Sequence, residues 1–367
     1  MIKYMSKFSG AFRLLLIILL AMVIGSAFIL YIGENPFRVY VVLLQSSFMS
    51  QLTFGTMLSN FTPLLLTSMA FAIAAKAGAF NVGVEGAVFL SAIAAAWVGI
   101  YINGLPPFPH ILLCFLTAVT VGALWSLIPA LLKAYFDVSE ICVTILMNYV
   151  ALYITSYLVS GPMSAGVAVP QSLHVQVRLF RFMRPSNVSI GLFIAIVLTI
   201  FLVWLMRYSA FGYQMRAVGD NKLFAEYAGI NPKNVLLKGM MLSGAIGGVA
   251  GCIEVLGTHG VFLNNFAVGL GTTGMLASLI VKNNLYTVPL MALFIAMLKS
   301  GALVMQQSAG VPRAAVDAII AIFIIVASME LLFSFAKKMR GKGRAVNSAN
   351  PPDSPEAVWE VTERGDA

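Results

Sequence analysis

The chain has 367 residues, with 23 Lys+Arg against 14 Asp+Glu; 60% of it is hydrophobic and only 10% is charged. Soluble domains carry about 25% charged residues, so this composition excludes a soluble enzyme, a nucleic-acid-binding domain and a disordered protein. The net charge of +9 is what a polytopic membrane protein with basic cytoplasmic loops produces.

A spanning helix needs about 20 mostly apolar residues. The first such run is 12–32, preceded by Lys3, Lys7 and Arg13, which favours a cytoplasmic N-terminus. It is long for a signal peptide and lacks a clear cleavage site. After a short external stretch at Asn35-Pro36, further spans are expected at roughly 56–75, 86–103, 111–132, 139–160, 188–207, 236–256, 268–282, 285–306 and 314–336. The expected fold is all-α: a polytopic transmembrane helical bundle of about ten spans over residues 1–340. Residues 341–367 are rich in Pro, Ser and acidic side chains and read as a disordered cytoplasmic tail.

This topology puts 208–235 in the cytoplasm, with Arg216, Lys222 and Lys233, and leaves the loop 101–110, without Lys or Arg, outside. Loop 161–187 breaks the rule, because Arg178, Arg181 and Arg184 face outward. Cys114, Cys142 and Cys252 lie in apolar stretches with no metal-ligand spacing and read as small core residues. His110 and His174 fall in external loops and read as solvated. Phe80-Asn81-Val82-Gly83-Val84 echoes Phe266-Ala267-Val268-Gly269-Leu270. An inverted repeat produces such an echo, and so can chance.

The polar interruptions of the apolar runs are the functional candidates. In 76–86, three glycines with Asn81 and Glu85 break helical continuity. Irregular backbone at membrane depth is tolerated where it lines a wet cavity. The other reading is a tight turn whose Glu85 caps the next helix. Asn148 sits in mid-span, able to bond a passing solute or to bind a neighbouring helix. Glu254 follows Gly244, Gly247, Gly248 and Gly251; a carboxylate there is costly unless paired, with Lys299 or His259 as candidate partners. Asn81, Glu85, Asn148 and Glu254 are thus the substrate-pathway candidates.

In the cytoplasmic segment, Asp220 or Asn221 can cap a short helix carrying Phe224, Tyr227 and Ala228, which Gly229 ends. Such a helix lies on the membrane or docks in a partner's groove. There is no Gly-x-x-x-x-Gly-Lys-Ser/Thr loop and no catalytic or metal-ligand constellation. No cofactor, metal or enzymatic activity is therefore expected in this chain, and its energy source is an ion gradient or another subunit.

The ordered motifs resemble the permease subunits of bacterial ATP-binding-cassette importers of the ribose/galactose/nucleoside group, closest to the nucleoside branch. They are 77–86, Val138-Ser139-Glu140-Ile141 with Met147-Asn148-Tyr149, 216–221 with 227–231, 251–257, and Gly310-Val311-Pro312. The stretch after Gly269 departs from that branch, which carries a Phe-Asp pair where this chain reads Gly271-Thr272-Thr273-Gly274. The resemblance implies a type II-like importer permease that translocates a nucleoside or simple sugar. It implies an external binding (lipo)protein, a second permease copy or paralogue, and a cytoplasmic ATPase that uses ATP and Mg²⁺, all at a bacterial cytoplasmic (inner) membrane. It also implies that 208–235 is the ATPase-coupling loop, with Gly212, Arg216, Gly219, Asp220, Tyr227, Ala228 and Gly229 on its motif. The alternative from the residues alone is a proton-coupled secondary transporter using Glu254 as the carrier.

Overall fold

Helix α1 (Pro36–Met49) stops at Ser50, which opens α2 (Gln51–Lys76) with a reciprocal capping box to Thr53. The sequence gives no span at α1, because its 14 residues are too few to cross a bilayer. The computed structural model describes residues 35–309 and, singly, 23, 26, 27, 30, 33 and 321. Apart from those single residues, the expected spans 12–32 and 314–336 lie outside the described residues, as does the tail 341–367.

A break at 77–83 separates α2 from α3 (Val84–Tyr101). Then come α4 (Pro107–Phe136), α5 (Glu140–Ser160), a long connection 161–190, called the outer segment after the topology expected from the sequence, and α6 (Gly191–Tyr208). The outer segment holds a small antiparallel hairpin, β1 (Arg181–Met183) and β2 (Val188–Ser189). Two short helices, α7 (Ala210–Asp220) and α8 (Lys222–Tyr227), lead to α9 (Pro232–Ile253). Helix α9 continues as a π-helical turn, Glu254–His259. Helices α10 (Leu270–Ile280) and α11 (Val288–Ala309) complete the described chain.

Six helices among the described residues are long and apolar enough to cross a membrane: α2 to α6, and α9 with its π turn. They coincide with six of the expected spans. The expected span 268–282 is not a full one: α10 has 11 residues, about 17 Å at 1.5 Å per residue. Helix α11, with 22 residues, lies at the expected span 285–306.

Helices α2, α3 and α9 are buried in the centre. Helices α4, α5 and α6 turn large apolar side chains outward, among them Leu116, Leu146, Val197 and Ile200. In water that surface would be a liability, whereas against lipid it is the ordinary condition of a spanning helix. Close packing at the centre depends on the glycines of α9. Gly244 and Gly248 meet the backbone of Gly122 and Ala118 in α4, and Gly247 and Gly251 face Val84, Val88 and Ala92 in α3.

The echoing segments 80–84 and 266–270 each lead into a helix N-terminus, α3 and α10. Their ends also meet, since Glu85, next after the first segment, accepts from Gly269 N of the second at 3.0 Å. Cys114 and Cys252 are core residues as expected, but Cys142 is exposed on α5. His110 is not solvated: it is 2% exposed, and its Nε2 lies 3.0 Å from the Val98 carbonyl. The α4 N-terminus that carries it packs back onto α3, a tertiary contact that local polarity does not reveal.

Candidate functional site

A cavity of about 410 Å³ opens among α2, the π turn, residues 266–270 and α11. Its polar lining comes from Ser59, Asn60, Glu254, His259 and Lys299, and Phe266 supplies an aromatic wall. Its volume falls within the range of small-molecule sites, about 300–1,000 Å³. A larger cavity of about 660 Å³ at the outer ends of α3 and α4 is lined by Leu90, Trp97, Tyr101 and other apolar residues. It offers a polar solute little to bond.

Glu254 is 6% exposed, so its carboxylate requires a partner. His259 Nε2 lies 3.2 Å from one carboxylate oxygen, and Thr258 Oγ1 donates to the other at 3.4 Å. Of the two partners expected for Glu254, the structure selects His259. Lys299 instead donates to Thr273 Oγ1 at 3.4 Å. The π turn makes the choice. Five residues apart on an α-helix, two side chains point about 140° away from each other. Here Gly260 N donates to Val255 O, five residues back, at 2.7 Å. That wider turn brings Glu254 and His259 onto one side. Such insertions are rare and concentrate at functional sites.

The outer segment holds the turn in place. Arg181 Nε donates to the Gly257 carbonyl at 2.9 Å and a terminal guanidinium nitrogen to the Thr258 carbonyl at 2.6 Å. These carbonyls lie at a helix end that has run out of intrahelical donors. Leu179 N and Val175 N bond Leu256 O and Gly260 O alongside. Burial, with Arg178 and Arg184 nearby, lowers the Arg181 pKa from its usual value. One of the outward arginines that broke the charge rule is therefore a backbone clamp.

The other three pathway candidates are engaged elsewhere. Asn81 accepts from Gly83 N at 2.9 Å and donates to Ser243 Oγ at 3.0 Å, shaping the break before α3 and tying it to α9. Asn148 accepts from Gly86 N at 2.8 Å and donates to Val82 O at 3.0 Å, binding α5 to the same break. Glu85 is a cap, but not for its own helix. Its carboxylate accepts from Gly269 N at 3.0 Å and Thr272 N at 3.4 Å, at the start of α10. Gly269 stands there at φ +77°, a left-handed conformation that glycine adopts without strain.

A carboxylate at a helix N-terminus offsets both the orphan N–H groups and the dipole. Glu85→Ala is therefore expected to lower thermal stability by about 1–2 kcal/mol, with Glu85→Gln intermediate. Thermal unfolding of the purified protein in detergent checks this, and unchanged midpoints for both variants would exclude the cap.

In the loop between α6 and α9, Ser209 caps α7 by accepting from Gly212 N at 2.9 Å, and Asn221 caps α8 by accepting from Phe224 N at 3.1 Å. Of the two caps considered for α8, Asn221 is the one used. Gly229 closes the helix at φ +80°. Asn231 accepts from Lys233 N and Asn234 N to begin α9. The loop residues then divide. Gly212 packs against Leu205 and Met206, Gly219 against the Lys76 carbonyl, and Arg216 bonds the Met206 carbonyl. Gly212 is buried and Arg216 half-buried, whereas Gly219 touches the bundle on one side and is exposed on the other. Asp220, Tyr227, Ala228 and Gly229 are exposed. Leu223 and Phe224, which the motif did not include, are exposed too, while Ala225 is the fully buried anchor.

Residues 53–329 match the family described as "Branched-chain amino acid transport system / permease component". The chain is 33% identical over 336 residues to a guanosine ABC transporter permease protein of Bacillus subtilis, covering 90% of this chain and 96% of that one. It is 32% identical over 328 residues to a glucose ABC transporter permease protein of Haloferax volcanii, covering 84% and 85%. It is 27% identical over 348 residues to a nucleoside ABC transporter permease protein of Lactococcus lactis, covering 91% and 94%. No solved structure matches the chain.

Proposed function

The chain belongs to the branched-chain amino acid transport system / permease component family, and from that premise we propose that it is the permease subunit of an ATP-binding-cassette importer for a nucleoside or simple sugar. The solute class follows the guanosine, glucose and nucleoside permeases to which it is similar over nearly its whole length. Similarity on that scale to ABC permeases leaves no place for the self-sufficient proton-coupled transporter. Among the pathway candidates only Glu254 lines the polar cavity, and it is the residue to which we give a solute-facing role. Asn81, Glu85 and Asn148 shape the walls.

The coupling reading is carried by one observation. Leu223, Phe224 and Tyr227 stand exposed on a short helix capped at both ends, between two spans. An aromatic surface held rigid in this way suits a groove on a cytoplasmic ATPase. Asp220, Ala228 and Gly229 belong to that surface, and Gly212, Arg216 and Gly219 transmit its movement by their packing on the bundle. ATP and Mg²⁺ act in the ATPase. An external binding lipoprotein delivers the solute, and a second permease copy or paralogue completes the pathway. The assembly lies in a bacterial cytoplasmic membrane with both termini inside.

Cysteine cross-linking tests the coupling surface. Tyr227→Cys or Phe224→Cys is expected to form a disulfide with single cysteines placed around the ATPase groove, in the purified assembly. No cross-link from either position, in an assembly that still contains the ATPase, would place the docking surface elsewhere.

A further inference from the structure

On the importer reading above, we propose that the cavity beneath the π turn is a solute-binding site that recognises adjacent ring hydroxyls, with Glu254 as their acceptor. A carboxylate is acceptor-only and has about four lone-pair sites. Thr258 and His259 engage one oxygen each, Thr258 at a long 3.4 Å. Capacity is left for two further donors, which a vicinal diol supplies in the spacing of the two oxygens. Ser59 Oγ is a second, independent pointer. It lines the cavity and is buried without a hydrogen-bond partner among the described residues. Such a group costs about 1–3 kcal/mol, which a bound hydroxyl removes.

The remaining lining agrees with a neutral polyol. Glu254 and Lys299 bring opposite charges to one cavity, so neither sign of ion is favoured. Phe266 offers an apolar wall to the hydrogen-bearing face of a sugar ring. A purine and a hexose share no base edge. Guanosine, glucose and ribonucleosides, the solutes that name three similar permeases, all carry adjacent hydroxyls on a sugar ring, although the ring is five-membered in one case and six-membered in the other. A site that reads the diol and ignores the rest would serve all of them.

The test uses the permease–ATPase assembly in liposomes without its receptor, carrying Ser59→Cys and Cys142→Ser. Cys114 and Cys252 are buried. Mixed-disulfide formation between the Ser59→Cys thiolate and a small methanethiosulfonate, which releases methanesulfinate, is followed with adenosine, glucose or 2′,3′-dideoxyadenosine present. Adenosine and glucose are expected to slow the reaction by a saturable factor of about 1 + [solute]/Kd, roughly threefold at twice Kd. The dideoxy compound should not slow it, and Glu254→Gln should abolish the protection.

Equal protection by adenosine and its dideoxy analogue would overturn the proposal. So would protection that survives Glu254→Gln, or a thiol unreactive both with and without ATP. Receptor- and ATP-dependent uptake, measured on the same preparation, separates the two claims. Uptake without diol-dependent protection removes the site and leaves the importer. Diol-dependent protection without uptake by the unsubstituted protein does the reverse.

Discussion

Tyr227→Ala is expected to abolish most ATP-dependent uptake while leaving the permease folded. The side chain is 92% exposed, and α8 is anchored to the bundle by Ala225, not by Tyr227. Truncation therefore removes nothing that the isolated chain uses for packing. Against an ATPase groove the same ring is a candidate hot spot, and losing one costs about 2–4 kcal/mol. That corresponds to roughly 30- to 1,000-fold weaker association. The readouts are co-purification of the ATPase, uptake, and thermal unfolding of the permease alone. The first two should fall and the third stay put. Uptake at the unsubstituted level would remove Tyr227 from the coupling surface, whereas a lowered unfolding midpoint would make its role structural.

Gly248→Val is expected to do the opposite, destroying the fold and with it every activity. A Cβ at Gly248 would overlap the Ala118 carbonyl oxygen, and one at Gly244 would overlap the Gly122 carbonyl oxygen. The two glycines are four residues apart, so they form one stripe facing α4. Backbone cannot rotate aside as a flexible side chain can, so the helices must separate, at about 3 kcal/mol or more. Gly247, on the adjacent stripe, provides the control. Its added Cβ would meet Ala87 and Val84 at 3.4 Å, an ordinary contact. Gly247→Ala should be nearly neutral where Gly248→Val is not recovered as a monodisperse species. Equal tolerance of both substitutions would contradict the packing described for α9.

Local rules made much of this legible. Apolar length located the spans from α2 to α6 and α9. Turn and cap chemistry located α8, with Asn221 at its start and Gly229 at its end. The unusual cost of Glu254 marked it before any partner was known.

What was not legible depends on residues far apart in the chain. Glu85 caps a helix 184 residues away. Asn148 secures a break 62 residues before it. No local pattern distinguishes these uses from solute binding, because an amide or carboxylate offers the same atoms to either. The π turn is hidden for a different reason. Its sequence, Glu254 to His259, is also compatible with an α-helix, and it is the Arg181 clamp from the outer segment that occupies the displaced carbonyls. The loop glycines show the converse case. A glycine suits close docking on a partner and close packing within the chain equally well; Gly212 and Gly219 both approach backbone of their own chain, and Gly219 is exposed as well.

The central claim is that this chain carries solute only as part of an ATP-driven assembly. Uptake of labelled nucleosides and sugars into liposomes tests it most directly, comparing the chain alone under a proton gradient with the chain plus its ATPase, receptor and ATP. The account predicts uptake only in the second arm, lost when ATP or the receptor is withheld. Gradient-driven uptake by the chain alone would contradict it.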